Sequence, residues 1–424
     1  MIALGIAFAL FLVIGVPVAF AIGMASVIGI WALDLRFVAL PTRMFTGIDS
    51  FELLAAPFYI LAGEVMGRSG ITERLIRFSM MLTRNVPGGT AYACVVSAVM
   101  FSGISGTAVG DAAALGQIFI KEMPKEGYRK EYAASVVVAS SMMGPIIPPS
   151  VIMIVFSAVT QVSVIDLFAA GVVPGLMLAA AIAVVIFLQG LKGDLPRPDF
   201  RLEKGEGRRL VVEGLLILTL PVVIIRGASS GVFTTTEAGG VACLYALLLG
   251  FFVFRQLTPR AVWQCLVVTA QISASIYLVL AASELMSWVL TRGGITDYVR
   301  DFGELFGGNK LLFLLALALA LTIIGTFLEP GPAVILFVPL LMPAVKLLGI
   351  DPLQFAMVVI LTLTLGLITP PVGVCMFVVC RIANISIWQL FATTWPFFVA
   401  ETIVVVLLCL VPEFSTWLPR LLKS

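Results

Sequence analysis

Gly144-Pro145-Ile146-Ile147-Pro148-Pro149 recurs 222 residues later as Gly366-Leu367-Ile368-Thr369-Pro370-Pro371, and both copies lie in apolar sequence. Each copy follows another glycine by 41 residues, Gly103 in the first case and Gly325 in the second. Proline lacks an N–H and its ring clashes with the preceding turn, so a Pro-Pro pair breaks a helix and strips donors from the carbonyls before it. Inside a bilayer those freed groups find no water, and lipid cannot satisfy them. Helix breaks at matching points of two repeats therefore point to a transporter binding site, with ions and substrate as the missing partners.

The duplication reaches further upstream. Arg68-Ser69-Gly70-Ile71-Thr72-Glu73 echoes Arg292-Gly293-Gly294-Ile295-Thr296-Asp297, and Glu64 and Met66 match Glu284 and Met286. Between 101–150 and 323–372 nine positions are identical. Four are Ala, Val or Ile matches, cheap in an apolar chain; the Gly and Pro matches at 103, 127, 144, 148 and 149 of the first copy carry the argument.

Composition sets the class. Of 424 residues 60% are hydrophobic and 12% charged, and the mean hydropathy is +1.12. A soluble domain has no use for so much apolar surface, so the expected fold is an all-α polytopic membrane protein. The net charge of +2 gives no sign of a nucleic-acid partner; the lipid bilayer is the partner the composition demands. There is no histidine, which removes histidine zinc sites, Ser-His-Asp chemistry and histidine proton relays. The six cysteines are scattered in apolar stretches with no metal-like pairing and read as small core or lipid-facing residues. The segment 2–33 lacks a basic start and is too long for a signal core, so it is expected to stay as membrane segment rather than be a signal peptide.

Apolar segments fall at about 2–33, 51–67, 88–120, 131–161, 166–191, 209–227, 231–254, 263–291, 310–348, 354–380 and 385–412. Two of them, 88–120 and 310–348, are broken by Ser102-Gly103-Ile104-Ser105-Gly106 and by Glu329-Pro330-Gly331-Pro332, and are read as re-entrant helical hairpins. The expected division is then a first inverted repeat over 1–191, with an inner hairpin at about 88–120 and a broken helix at 131–161. A cytoplasmic linker at 192–209 joins it to a second repeat over 210–424, with an outer hairpin at about 310–348 and a broken helix at 354–380. Orientation follows Lys and Arg. The linker holds six basic residues, and Arg68–Arg84 and 121–130 add more, so all three are expected on the cytoplasmic side with the N-terminus. The stretches 68–84 and 292–307 are amphipathic and too polar to span, and are expected to lie flat at the interface.

Near the first hairpin tip, Ser102, Gly103, Ser105, Gly106 and Thr107 combine small hydroxyls with pliable backbone, facing the break at Gly144–Pro149. Freed carbonyls and hydroxyls are neutral hard-oxygen ligands that suit an alkali cation such as Na⁺. Gly325, the Gly366–Val372 break and the Thr369 hydroxyl offer the same kind of cage in the second half. Half-helix N-termini after the breaks favour an anionic substrate, most naturally a carboxylate. Its site is expected around Ser102, Gly103, Ser105, Gly106, Pro148, Pro370 and Glu329. Asp111, Glu237 and Glu329 lie inside apolar sequence, where acids are costly and usually functional. Glu329 leads that group, whereas Glu237 serves equally well as a helix cap. Small residues that only permit close helix packing are the duller alternative, and proton coupling through Glu329 or Asp111 stays open. An intramembrane enzyme, such as a protease or a lipid-linked glycosyltransferase, is disfavoured. It would need a nucleophile with a base, paired aspartates or a metal cluster, whereas histidine is absent and the intramembrane acids are isolated.

At these residues the chain resembles the large membrane subunit of the TRAP (tripartite ATP-independent periplasmic) transporters, of the dicarboxylate type. The resemblance spans essentially the whole length, and its specific pieces are Gly15–Phe20, Pro57–Gly63, Ser102–Asp111, Gly144–Ser150, Gly231–Ala238 and Gly366–Gly373. It implies an elevator-type carrier of the wider ion-transporter superfamily in the bacterial inner membrane. Such a carrier takes organic acids from a periplasmic substrate-binding protein, is driven by Na⁺ and pairs with a small four-helix membrane subunit. Carried over residue by residue, the resemblance implies one Na⁺ site at Ser105, Thr107, Gly144, Ile147 and Pro149. A second is implied at Gly325, Gly366, Thr369 and Val372, partly through backbone carbonyls. The family's usual Thr-Pro-Thr-Glu reads Thr234-Thr235-Thr236-Glu237 here, which weakens that motif and leaves the ion sites untouched.

Overall fold

A computed structural model describes residues 2–49, 51–193, 195–198, 206–229, 232–295 and 307–423. Among them every regular element is helical, and five helices are long and apolar enough to cross a membrane: Val164–Gly190, Thr235–Val253, Pro259–Arg292, Pro330–Leu347 and Ile387–Leu410. Large apolar side chains face outward, among them Trp31, Phe252 and Leu319 at 76%, 71% and 67% exposure. In water such a surface would be a liability; in a bilayer it is the solvent-facing side. The chain is thus a multi-pass membrane protein.

The centre is built from two helical hairpins and two interrupted helices. The first hairpin pairs Gly89–Ser105 with Ala108–Lys125, and the second pairs Lys310–Gly325 with Pro330–Leu347. The first interrupted helix runs Lys130–Ser141, then a break, then Val151–Thr160; the second runs Pro352–Gly366 and Val374–Ala383. Pro148-Pro149 and Pro370-Pro371, the cis peptides of the two breaks, occupy the same place in each. The halves interlock crosswise. Val151–Thr160 packs against Pro330–Leu347 of the second hairpin, and Val374–Ala383 packs against Ala108–Lys125 of the first.

The remaining helices surround this centre. Thr235–Leu248 lies on Ala55–Arg68, and Pro259–Arg292 lies on Val18–Ala32 and Ala39–Ile48, so elements from both halves of the chain mix. Tyr277 Oη donates to the Leu53 carbonyl at 2.9 Å across that seam. Ile71–Thr83 is amphipathic, burying Ile71, Leu75, Ile76 and Phe78, and its arginines reach the helix Glu206–Ser229. Arg74 pairs with Glu213 at 3.2 Å and stacks over Phe254 at 4.5 Å, while Arg77 pairs with Glu206. Its counterpart expected over 292–307 falls largely on 296–306, outside the described residues, as do 199–205 of the expected linker.

The apolar segment 2–33 is two helices rather than one. Ile2–Val13 stops and Val18–Ala32 begins after Gly15 at φ +86° and Pro17. Glycine supplies the left-handed backbone and proline refuses the helical N–H, so continuous hydropathy conceals a corner.

Candidate ion and substrate site

The first hairpin turns at Gly106, which holds a left-handed φ of +63°, followed by Thr107 in extended backbone. Thr107 Oγ1 accepts from the Gly110 N–H at 3.3 Å, capping the returning arm. One turn in stands Asp111, completely buried. Ser105 Oγ donates to its Oδ1, and Ser102 Oγ lies 3.2 Å from its Oδ2 while also bonding the Ala98 carbonyl at 2.5 Å. A hydroxyl has one proton to give, so these two serines cannot satisfy every acceptor they touch. The carboxylate therefore keeps acceptor capacity, in the first turn of a helix where the macrodipole favours negative charge.

The break of the first interrupted helix sits on that tip. A Cβ on Gly144 would meet Asp111 Oδ2 at 2.6 Å and the Thr107 carbonyl oxygen at 2.7 Å, and one on Gly106 would meet the Pro149 carbonyl oxygen at 2.9 Å. Only glycine permits these approaches, which bring Ser105, Gly106, Thr107, Gly144 and Pro149 together. Ser150 completes the cradle by capping Val151–Thr160 and donating to the Pro145 carbonyl at 2.6 Å. Among the described residues no backbone N–H reaches the carbonyls of Gly144, Ile147, Pro148 or Pro149.

The second pair repeats the design with closer contact. A Cβ on Gly366 would lie 2.3 Å from the Gly325 carbonyl carbon, and one on Gly325 would lie 2.5 Å from the Leu363 carbonyl oxygen. The Gly373 N–H reaches across to the Thr326 carbonyl at 3.3 Å. Thr369 Oγ1 donates to the Leu365 carbonyl at 2.8 Å, leaving lone pairs for another partner. The carbonyls of Gly325, Thr369, Pro370 and Val372 receive no backbone N–H among the described residues.

Orphan carbonyls and hydroxyls fit a small alkali cation, and no cluster of three His, Cys, Asp or Glu among the described residues offers a transition metal a home. The first cage differs from the neutral one expected, because Asp111 adds a carboxylate to it. The residue 222 positions further on, at the spacing of the two Gly…Pro-Pro stretches, is Ala333. Cys375 is buried in Val374–Ala383, the helix that packs against the returning arm Ala108–Lys125.

The other expected residues sort differently. Ser102 and Gly103 are buried in the hairpin arm, Pro148 is buried and Pro370 half-buried. Glu329 is exposed at the N-cap of Pro330–Leu347; its carbonyl accepts the Ala333 N–H at 3.2 Å, and its carboxylate has no hydrogen bond or ion pair among the described residues. Glu237 is exposed and caps Thr235–Leu248: Thr234 Oγ1 accepts its N–H at 3.2 Å, and its carboxylate takes the Thr234 N–H at 2.8 Å. Two acids take places that the sequence analysis does not assign. Asp111, expected as a functional acid, joins the first cage four residues past Thr107. Glu401, wholly buried in Ile387–Leu410 with neither oxygen bonded among the described residues, was the lone acid of its apolar segment.

This is the architecture of a polytopic membrane protein. The chain belongs to the DctM component family of the tripartite ATP-independent periplasmic transporters, whose pattern matches residues 5–414. It is 35% identical over 411 residues to the sialic acid TRAP transporter large permease SiaM of Vibrio cholerae, covering 96% of this chain and 95% of that one. It is 32% identical over 412 residues to the isethionate TRAP transporter permease DctMQ of Oleidesulfovibrio alaskensis, covering 96% of this chain and 64% of that one. Among solved structures, the YdaH transporter of Alcanivorax borkumensis shares the fold with a TM-score of 0.67 at 13% identity, over 90% of this chain and 89% of that one.

Proposed function

We propose that this protein is the large permease of a Na⁺-coupled uptake system for an organic acid in the bacterial inner membrane. The observation that carries the reading is the doubled contact of hairpin tip on helix break, Gly144 on Thr107 and Asp111, and Gly366 on Gly325. Each contact lines up carbonyls without donors beside a hydroxyl, an arrangement that a bound Na⁺ completes. The helix N-termini at Ala108, Val151, Pro330 and Val374 supply partial positive charge for an anionic cargo between the cages. Relatives named for sialic acid and isethionate carry organic anions, in keeping with a site read largely by backbone dipoles.

The two repeats would be inverted in the membrane, with the hairpins and interrupted helices forming a body that slides against the surrounding helices. The amphipathic helix Ile71–Thr83, tied to Glu206–Ser229 by Arg74 and Arg77, would serve as one of the arms. A periplasmic binding protein would deliver cargo, and a small four-helix membrane subunit would complete the complex; the longer DctMQ relative fits a fused arrangement. The N-terminus would be cytoplasmic. Proteoliposomes holding the complex, supplied with loaded binding protein, test the reading: uptake is expected with an imposed Na⁺ gradient and not with a pH gradient alone. Uptake driven by pH without Na⁺ would replace Na⁺ by H⁺ as coupling ion.

A further inference from the structure

One end of the long helix Ile387–Leu410 borders two cavities that no transport role uses. The first, of about 550 Å³, is lined by Tyr128, Arg129, Tyr132, Gln189 and Thr393. Tyr132 Oη and Gln189 Oε1 are buried there without hydrogen-bond partners among the described residues, an expensive condition unless something fills the space. The Tyr132 ring is fixed by stacking on Tyr128 at 5.9 Å and by Phe397 at 6.4 Å, so its hydroxyl is held in place. Arg129 lines the cavity and is exposed, with Glu131 at 3.8 Å from it; Lys130, its neighbour in the chain, is exposed as well.

The second cavity, about 340 Å³ and wholly apolar, runs along the same helix past Trp395, Val399, Ile403 and Leu407. It begins beside Pro396, which lines the first cavity. From Trp395 to Leu407 a helix rises about 18 Å, close to the ~15 Å depth of one hydrocarbon leaflet. Trp388 and Trp395, at 70% and 52% exposure, mark the membrane–water boundary at that level. A polar pocket with a basic side chain thus lies next along the helix to an apolar groove about one leaflet long.

We propose that these cavities form one site for an anionic phospholipid of the phosphatidylglycerol type. Its phosphate meets Arg129 and the Tyr132 hydroxyl, a headgroup hydroxyl donates to Gln189 Oε1, and an acyl chain lies along Val399 and Ile403. Basic pockets beside membrane helices recognise such headgroups through charge and hydrogen bonds together. A zwitterionic lipid leaves the excess positive charge uncompensated, and a free phosphate leaves the groove empty.

Native mass spectrometry of the purified protein, exchanged into phosphatidylglycerol or phosphatidylethanolamine, tests this. A retained phosphatidylglycerol adduct is expected, lost in Arg129→Ala and, separately, in Val399→Trp, which plugs the groove from an exposed position. The lipid should also raise the melting temperature of the unaltered protein and of neither variant. Equal retention of both lipids, adducts unchanged in both variants, or full displacement by glycerol phosphate would overturn the proposal. So would disulfide trapping of Val399→Cys against a cysteine of the small membrane subunit, which would put protein in the groove.

Discussion

Gly366 and Gly325 touch backbone to backbone: a methyl group on Gly366 would sit 2.3 Å from the Gly325 carbonyl carbon and 2.7 Å from the Thr326 nitrogen. Neither neighbour is a flexible side chain that can step aside. Gly366→Ala must therefore separate the second hairpin from its helix break, at a cost above the roughly 1–3 kcal/mol of ordinary overpacking. Transport is expected to be abolished in Gly366→Ala and in Gly325→Ala. Gly240→Ala, where a Cβ meets nothing within 4 Å, should transport normally. Uptake in proteoliposomes at matched protein density reads the difference, and an active Gly366→Ala would show that this contact is dispensable.

Asp111 brings a carboxyl group to the first cage, held by Ser105 and Ser102. Asp111→Asn keeps the shape and removes the group that can meet a cation with a full negative charge. Such a charged partner contributes about 1.5–3 kcal/mol, so half-saturation for Na⁺ should rise roughly ten- to hundredfold. Ser102→Ala, which leaves the carboxyl group in place, should move it less. A Na⁺ titration of uptake that is unchanged in Asp111→Asn would place the ion elsewhere.

How far the sequence could foretell these cages depends on which physics was involved. The breaks were visible because proline and glycine act on the backbone locally, whatever surrounds them. The hairpin arms followed from apolar length interrupted by small residues. What stayed hidden was three-dimensional. That Gly144 abuts Asp111 depends on how the helix break folds onto the hairpin tip, and that Val374–Ala383 packs on Ala108–Lys125 depends on helices more than 200 residues apart. Glu329, expected as the leading acid, lies exposed at its tip, whereas Asp111 is buried against the first break. Glu401 was discoverable by the rule that acids inside apolar sequence are costly, applied to the final apolar segment.

Thr369 tests the second cage in isolation. Its hydroxyl donates to the Leu365 carbonyl at 2.8 Å, so the oxygen faces any ion as an acceptor. Thr369→Ala deletes that ligand, whereas Thr369→Ser restores it without the methyl group. About a tenfold loss of apparent Na⁺ affinity, corresponding to about 1.4 kcal/mol, is expected for alanine, with recovery in serine. Ser105→Ala should do the same in the first cage while the protein still reaches the membrane. Equal Na⁺ curves for Thr369→Ala and Thr369→Ser would remove the hydroxyl from the coordination shell.

Glu237 separates a structural acid from a functional one. It occupies the third position of a capping box with Thr234, each side chain serving the other's backbone N–H. Losing such a cap costs typically about 1 kcal/mol, so Glu237→Ala should lower the melting temperature modestly and speed amide exchange in the first turn of Thr235–Leu248. Transport per folded molecule should stay as it is, because the carboxylate is exposed and its hydrogen bonds are to Thr234 within its own helix cap. Glu237→Gln, which can still accept the Thr234 N–H, should recover most of the lost stability. The opposite pattern, normal melting with failed uptake in both variants, would mean that the charge itself contacts cargo, coupling ion or a partner subunit.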